Sequence, residues 1–224
     1  MTTTRWWWVR HAPVTATGGR IYGQTDPPCD TDDSATFRVL ASILPTQAIL
    51  VTSNLQRTQQ TANAIGVAGL ALPRAIIEPA MAEQNFGKWQ GRTHVEVTNE
   101  LGARHAFWLM PAHSRPPGGE TFAELMDRVR EAILRLTHDN RGRDIVCVAH
   151  GGSIRAALGI ALEVDPDRAL SFSVDNCSLT RIDHFEGRPF DEKPNNPNYY
   201  WAVVCANHRP ELSTPGSVTT TPIA

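Results

Sequence analysis

The chain alternates short apolar runs with stretches of helical periodicity, and this alternation restricts the fold more than any other feature of the sequence. Trp6-Trp7-Trp8-Val9 is too short to span a membrane and rich in side chains that favour extended backbone, so it reads as a buried strand. Further strands are expected at 48–52, 74–77 and 144–149, with two more at 177–185 and 201–205 on the far edge. Between them, Asp33 is placed to cap a helix through Leu44, with Phe37, Leu40, Ala41 and Leu44 at helical spacing and Pro45 closing it. A second helix opens around Ser53-Asn54-Leu55-Gln56-Arg57-Thr58, and residues 93–108 read as one or two more. From Thr121, the residues Phe122, Leu125, Val129, Ile133 and Leu136 mark one face of a helix of about four turns. Strands alternating with helices predict an α/β fold, a three-layer α/β/α arrangement around a mostly parallel central sheet.

The 224 residues suit one domain, expected over 1–209, with a turn-rich linker at 194–197 and a disordered tail over 210–224. With 21 basic and 23 acidic residues the net charge is −2, which argues against a general nucleic-acid binder, so any anion site must be a local cluster of cations. No run has the length of a secretory signal or a membrane helix, and a cytoplasmic protein is expected. The four cysteines contain no C-x-x-C pair and the eight histidines no H-E-x-x-H spacing, so neither a metal nor a cofactor is predicted. Cys147, inside an apolar run, reads as a small buried hydrophobe.

Three of the strands lead into polar residues. Arg10 and His11 end the first, Arg57 follows the second, and His150 ends the strand at 144–149, followed by Gly151-Gly152-Ser153. In a parallel sheet the C-terminal ends share an edge, which would gather two guanidinium groups and two imidazoles into one pocket. Such a cluster suits a phosphoryl group: the arginine fork matches its oxygens, and free amides at a helix start at Gly151 and Gly152 add to it. The loop 13–30, punctuated by Gly18, Gly19, Gly23, Pro27 and Pro28, is long enough to be functional.

These residues resemble the histidine phosphatase superfamily, which includes the phosphoglycerate mutase-like phosphatases. Its Arg-His-Gly signature corresponds to Arg10-His11-Ala12, its second arginine to Arg57 in Ser53-x-Leu55-x-Arg57-Thr58, and its second histidine to His150. Its acidic residue corresponds to Glu83, ahead of Phe86-Gly87-x-Trp89-x-Gly91, and Pro117-Gly118-Gly119-Glu120-Thr121 matches the segment before its long helix. Ala12 departs from the usual glycine, and Thr17 falls where an asparagine contact is often made.

The resemblance implies that His11 attacks phosphorus to form a phosphohistidine, that Arg10, Arg57 and His150 hold the phosphoryl oxygens, and that Glu83 acts as acid and then base. Glu78 and Glu120 are the rival carboxylates. Gly151, Thr17, Tyr22 and Gly23 are expected beside the substrate, with Arg20, Arg92 and Arg115 as candidates for its far end, and the tryptophans are expected mainly in the core. The implied activity is that of a metal-independent phosphomonoester hydrolase acting on a small phosphorylated metabolite, with neither nucleic acid nor membrane as partner. A homodimer is compatible with the sequence, which does not specify an assembly. The alternatives are mutase-type phosphoryl transfer and a non-catalytic phosphate-binding module. The segment Ala82-Glu83-Gln84-Asn85-Phe86-Gly87 is closer to the phosphatase branch that includes the α-ribazole phosphatases than to the mutases.

Overall fold

The computed structural model describes residues 2–15, 17–101, 111–187 and 199–209. Six strands, β1 (Thr2–Arg10), β2 (Ile49–Thr52), β3 (Ile76–Ile77), β4 (Asp144–Ala149), β5 (Leu179–Glu186) and β6 (Tyr199–His208), form one sheet in the order β3-β2-β4-β1-β5-β6. The helices are α1 (Ser34–Ile43), α2 (Gln56–Val67), α3 (His94–Glu100), α4 (Phe122–Asp139), α5 (Gly151–Ala161) and α6 (Pro166–Ala169), with single 3-10 turns at Pro79–Met81 and Gly87–Trp89.

The pairings of β3, β2, β4 and β1 are parallel, whereas β5 and β6 are joined antiparallel, so the sheet is mixed. In register, Arg10 lies opposite Ala149 and Thr52 opposite Val148, so the C-terminal ends of β1, β4 and β2 form a level edge. The chain leaves β1 toward β2 on one side and leaves β4 toward β5 on the other. The crevice at this reversal, where open α/β sheets bind ligands, lies directly beyond Arg10 and Ala149.

Both faces of the sheet are covered. Trp6, Trp8, Ile145 and Cys147 face the layer of α4 and α5, while Val9, Val146 and Val148 face α1 and α2. This two-sided burial is why β1 and β4 read as continuous apolar runs instead of alternating ones. On α4 the stripe Phe122, Leu125, Met126, Val129, Ile133 and Leu136 is buried, each large side chain contributing about 1.5–3 kcal/mol of transfer energy. Thr121 and Glu124 close its start with a reciprocal capping box, and Asp33 caps α1 by accepting the Thr36 N–H.

The tryptophan run divides by face. Trp6 and Trp8 stack with centroids 5.0 Å apart, and Trp6 Nε1 donates to Thr137 on α4. Trp7, on the opposite face, donates to Asp144 and carries the Arg181 guanidinium 4.6 Å over its ring. Strand β1 begins at Thr2, earlier than the apolar run implies, because β5 supplies hydrogen-bonding partners back to Thr2. Helix α3 accounts for the first part of the expected helical stretch, and Trp108, the linker at 194–197 and the tail over 210–224 lie outside the described residues. Among the described residues no helix is long and apolar enough to cross a membrane.

Candidate active site

His11 follows β1 and is fully buried. Its Nδ1 lies 2.7 Å from the carbonyl of Ala12, which can only accept, so Nδ1 carries the proton and Nε2 the lone pair. Nε2 is buried with no protein partner. Burial, then the charges of Arg57 and Arg10, hold the imidazole pKa well below its ordinary 6.5, outweighing the carbonyl contact that raises it. The neutral, correctly oriented base is therefore the resting form. Ala12 is accommodated in place of glycine because Glu163, Cys177 and Asn207 are the only non-glycine residues at positive φ among those described.

Arg57, on the first turn of α2, is buried and points into the same space. Its Nε donates to His150 Nδ1 at 3.3 Å, Nη1 to Thr25 O at 2.9 Å and Nη2 to Gly23 O at 2.6 Å. His150, the N-cap of α5, then donates from Nε2 to Ser53 Oγ at 2.8 Å. Its ring centroid is 5.1 Å from that of His11, and burial, followed by His11, Arg57 and Arg10, depresses its pKa well below the usual value. Arg10 donates from Nη1 to Val174 O at 2.6 Å, and its buried Nε has no partner. Among the described residues neither Arg10 nor Arg57 makes an ion pair, and the carboxylates that act on them, Glu83 and Asp26 on Arg57 and Asp175 on Arg10, do so without contact, so two guanidinium groups stand beside a neutral imidazole. That is the electrostatic signature of an anion site.

Glu83 belongs to neither helix nor strand. Its Oε1 accepts the N–H of Gln84 at 2.9 Å and that of Gly152, in the first turn of α5, at 3.1 Å. A Cβ at Gly152 would overlap this oxygen, so the second glycine after His150 is what lets the carboxylate reach the helix N-terminus. The rivals have other work: Glu78 caps the turn at Pro79–Met81 and pairs with Arg135, and Glu120 pairs with Arg128.

A cavity of about 330 Å³ opens beside these groups, and Arg10, Glu83, Gly151 and Gly152 are part of its lining. Tyr22, Phe86, Trp89, Phe122 and Phe172 supply aromatic surface, and Arg20, His94 and Arg155 add cationic or titratable groups. Tyr22 stands edge-on to His11 with centroids 6.2 Å apart and lies under the Arg57 guanidinium. Gly23 is buried at φ 45°, where a Cβ would strike Gln90 and Phe86.

The sequence-based choices Arg10, His11, Arg57, Glu83 and His150 thus converge, with Gly151, Tyr22, Gly23 and Arg20 around the cavity. Thr17 is not among the lining residues; its carbonyl accepts the Arg20 N–H. Arg92 and Arg115, expected near substrate, are instead engaged with Glu100 and Glu124 on the surface. Sequence reasoning missed Arg155, whose Nε donates to Phe172 O at 2.8 Å while the group lines the cavity. Its spacing of four from Gly151, on the same helix face, was the available signal. It also missed the segment before β5: Cys177 N–H and Ser178 O pair with the Arg10 backbone, and Asn176 Nδ2 donates to His11 O at 2.8 Å. No group of three or more His, Cys, Asp or Glu that could hold a metal ion is found among the described residues.

Comparison with known proteins identifies relatives of this chain. The chain is 31% identical over 183 residues to a probable phosphoglycerate mutase of Yersinia enterocolitica, covering 80% of this chain and 84% of that one. It is 34% identical over 172 residues to a glucosyl-3-phosphoglycerate phosphatase of Mycolicibacterium vanbaalenii, covering 71% and 70%. A bifunctional protein of Mycobacterium tuberculosis is 31% identical over 133 residues, which are 59% of this chain but 36% of that protein, so the chain matches about a third of such a relative's length. Among solved structures, a mycobacterial glucosyl-3-phosphoglycerate phosphatase with inorganic phosphate superposes with a TM-score of 0.74 at 26% identity, over 93% of this chain and 99% of that one. The family model for the histidine phosphatase superfamily (branch 1) matches residues 6–197. With that span containing Arg10, His11, Arg57, Glu83 and His150, the chain belongs to branch 1 of the histidine phosphatase superfamily.

Proposed function

We propose that the protein is a metal-independent phosphomonoester hydrolase that acts through a phosphohistidine on a small phosphorylated metabolite in the cytoplasm. The observation that carries this reading is the state of His11: Nδ1–H is tied to Ala12 O, and the unpartnered Nε2 stands beside two guanidinium groups that make no ion pair among the described residues. Nε2 attacks phosphorus in line with the ester oxygen, the P–O bond breaks, and Glu83 gives its proton to the departing alkoxide. Arg10, Arg57, His150 and the start of α5 stabilise the charge spread over the remaining oxygens. In the second step Glu83 takes a proton from water, whose oxygen attacks the phosphohistidine. Inorganic phosphate leaves and His11 and the protonated Glu83 are restored. Aromatic walls with Arg20 and Arg155 suit a phosphoester whose alcohol part has both an apolar surface and polar or anionic groups. Four free cysteines are compatible with a reducing compartment.

The mutase relative supports a second reading, in which the phosphohistidine is discharged to an acceptor alcohol instead of water. One experiment separates them. The protein is offered sugar phosphates, nucleoside phosphates and phosphoglycerates, inorganic phosphate is measured, and the reaction is quenched to trap acid-labile phosphate. Stoichiometric phosphate release with a label on His11 supports hydrolysis, and isomerised product without release supports the mutase. Full turnover by His11→Ala would overturn both.

A further inference from the structure

We infer that Arg128 and Glu120 are a positioning pair that holds Glu83 at the reacting centre and thereby governs proton transfer without touching substrate. The inference rests on the acid and base role proposed for Glu83. Because Glu83 lies between two isolated 3-10 turns, no helix or strand holds its backbone in place.

Gln24 Nε2 donates to the Glu83 carbonyl at 2.9 Å, and the segment around it is held by the guanidinium of Arg128 on α4, whose five N–H donors are matched by five bonds. Nη1 donates to Ala80 O at 2.6 Å and Ala82 O at 3.0 Å, and Nη2 to Glu83 O at 3.1 Å. The other two run to Glu120, Nε to Oε2 at 3.0 Å and Nη2 to Oε1 at 2.6 Å. Glu120 passes the constraint on, since Oε1 also accepts the Asn85 N–H at 2.9 Å and its carbonyl accepts Gln84 Nε2. The backbone on both sides of Glu83 is therefore tied to one ion pair.

A separate contact works in the same direction. A Cβ on Gly87 would overlap Pro117 O, and one on Gly119 would overlap Asn85 O, so the loop before α4 packs backbone against backbone on the segment after Glu83. This gives the Pro117-Gly118-Gly119-Glu120 stretch a function as the buttress of the carboxylate loop. Arg128 is not among the cavity-lining residues, and the side chains of the pair are 23% and 18% exposed. The contacts of the pair with this segment run through backbone carbonyls and an amide, so they fix where Glu83 stands. Lysine, with a compact ammonium and three donors, cannot reproduce the fan of five bonds.

The test compares two substrates on Arg128→Lys: glycerol 3-phosphate, whose alkoxide must be protonated as it leaves, and p-nitrophenyl phosphate, whose phenolate leaves unprotonated. Since kcat/KM reports the step in which the ester bond breaks, its loss should be about 10–100-fold for the alkyl ester and under about 3-fold for the aryl ester. Glu120→Gln, which keeps an acceptor for Asn85 but gives up the ion pair, should show the same divergence to a smaller degree, and it carries the test if Arg128→Lys does not fold. Equal losses on both esters, or no loss on either, overturn the inference. Glu83→Gln is the control. If it shows no leaving-group dependence, the acid role fails and the inference with it; if it does and the pair variants do not, the inference alone fails.

Discussion

Arg57 Nε donates to Nδ1 of His150, and that single bond makes His150 a donor through its other nitrogen, toward Ser53. A buried arginine thus sets the tautomer of a buried histidine while each Nη gives one of its two N–H groups to a carbonyl, of Thr25 or of Gly23. Replacing Arg57 by lysine keeps a charge, but one compact nitrogen cannot span the acceptors that the separate Nε, Nη1 and Nη2 reach. A fall of roughly 100-fold in kcat/KM is expected, measured as phosphate release. A change within about 3-fold would mean that the guanidinium geometry is not used.

Gly151 and Gly152 should respond differently to alanine. At Gly152 the new methyl would overlap Glu83 Oε1 and displace the carboxylate from the α5 amide. At Gly151 the nearest atom is the mobile Nη1 of Arg155, 3.2 Å away. Gly152→Ala is expected to lose about 100-fold in kcat on alkyl phosphates, and Gly151→Ala less than about 5-fold. Thermal melts of both should show a folded protein.

The two site histidines predict the acid side of the pH profile. Both have folded-state pKa values depressed below 6.5, by burial first and then by the neighbouring cations, so both are neutral in the fold. Activity limited by the His11 lone pair should persist below pH 6.5 and fall only in more acidic solution. For stability the unfolded chain takes up protons first. The contribution is thus complete above the unfolded value and is lost as pH falls through and below 6.5, with a slope of up to about 1.4 kcal/mol per pH unit for each histidine. Chemical denaturation at pH 7.5, 6.5 and 5.5 measures this, and His150→Asn should flatten the slope. An unchanged slope would contradict the buried neutral state.

Arg155 faces the cavity with one bond to Phe172 O and no carboxylate in contact among the described residues. Arg155→Met keeps the stem and removes the charge. KM is expected to rise about 10-fold for phosphoesters with a second negative group, with kcat within about 2-fold. A fall in kcat with KM unchanged would place Arg155 on the transferred phosphoryl group instead.

Much of the fold was readable because β1 and β4 are buried on both faces and α1 and α4 on one, so their apolar patterns survive in linear order. Boundaries set by partners were not. Strand β1 extends to Thr2 because β5 pairs with it, and the antiparallel direction of β5 and β6 follows from chain reversals that local pattern does not encode.

The same division runs through the site. Arg10-His11, Arg57 and His150-Gly151-Gly152 stand next to strand ends, and a level sheet edge is enough to bring them together, so the sequence by itself determined that two guanidinium groups and two imidazoles would gather there. Which carboxylate reaches them was named by the resemblance, and only the tertiary structure supplies the physical reason. Glu78, Glu83 and Glu120 are equivalent as letters, yet Arg135 takes the first, Arg128 the third, and the α5 amide is left for Glu83. Arg92 and Arg115 were likewise drawn off by Glu100 and Glu124, while Arg155 reached the cavity from a helix face. Side chains of one chemical type compete for partners that lie from 8 to 69 residues away along the chain, and folding settles that competition by distance and desolvation, neither of which a linear pattern contains.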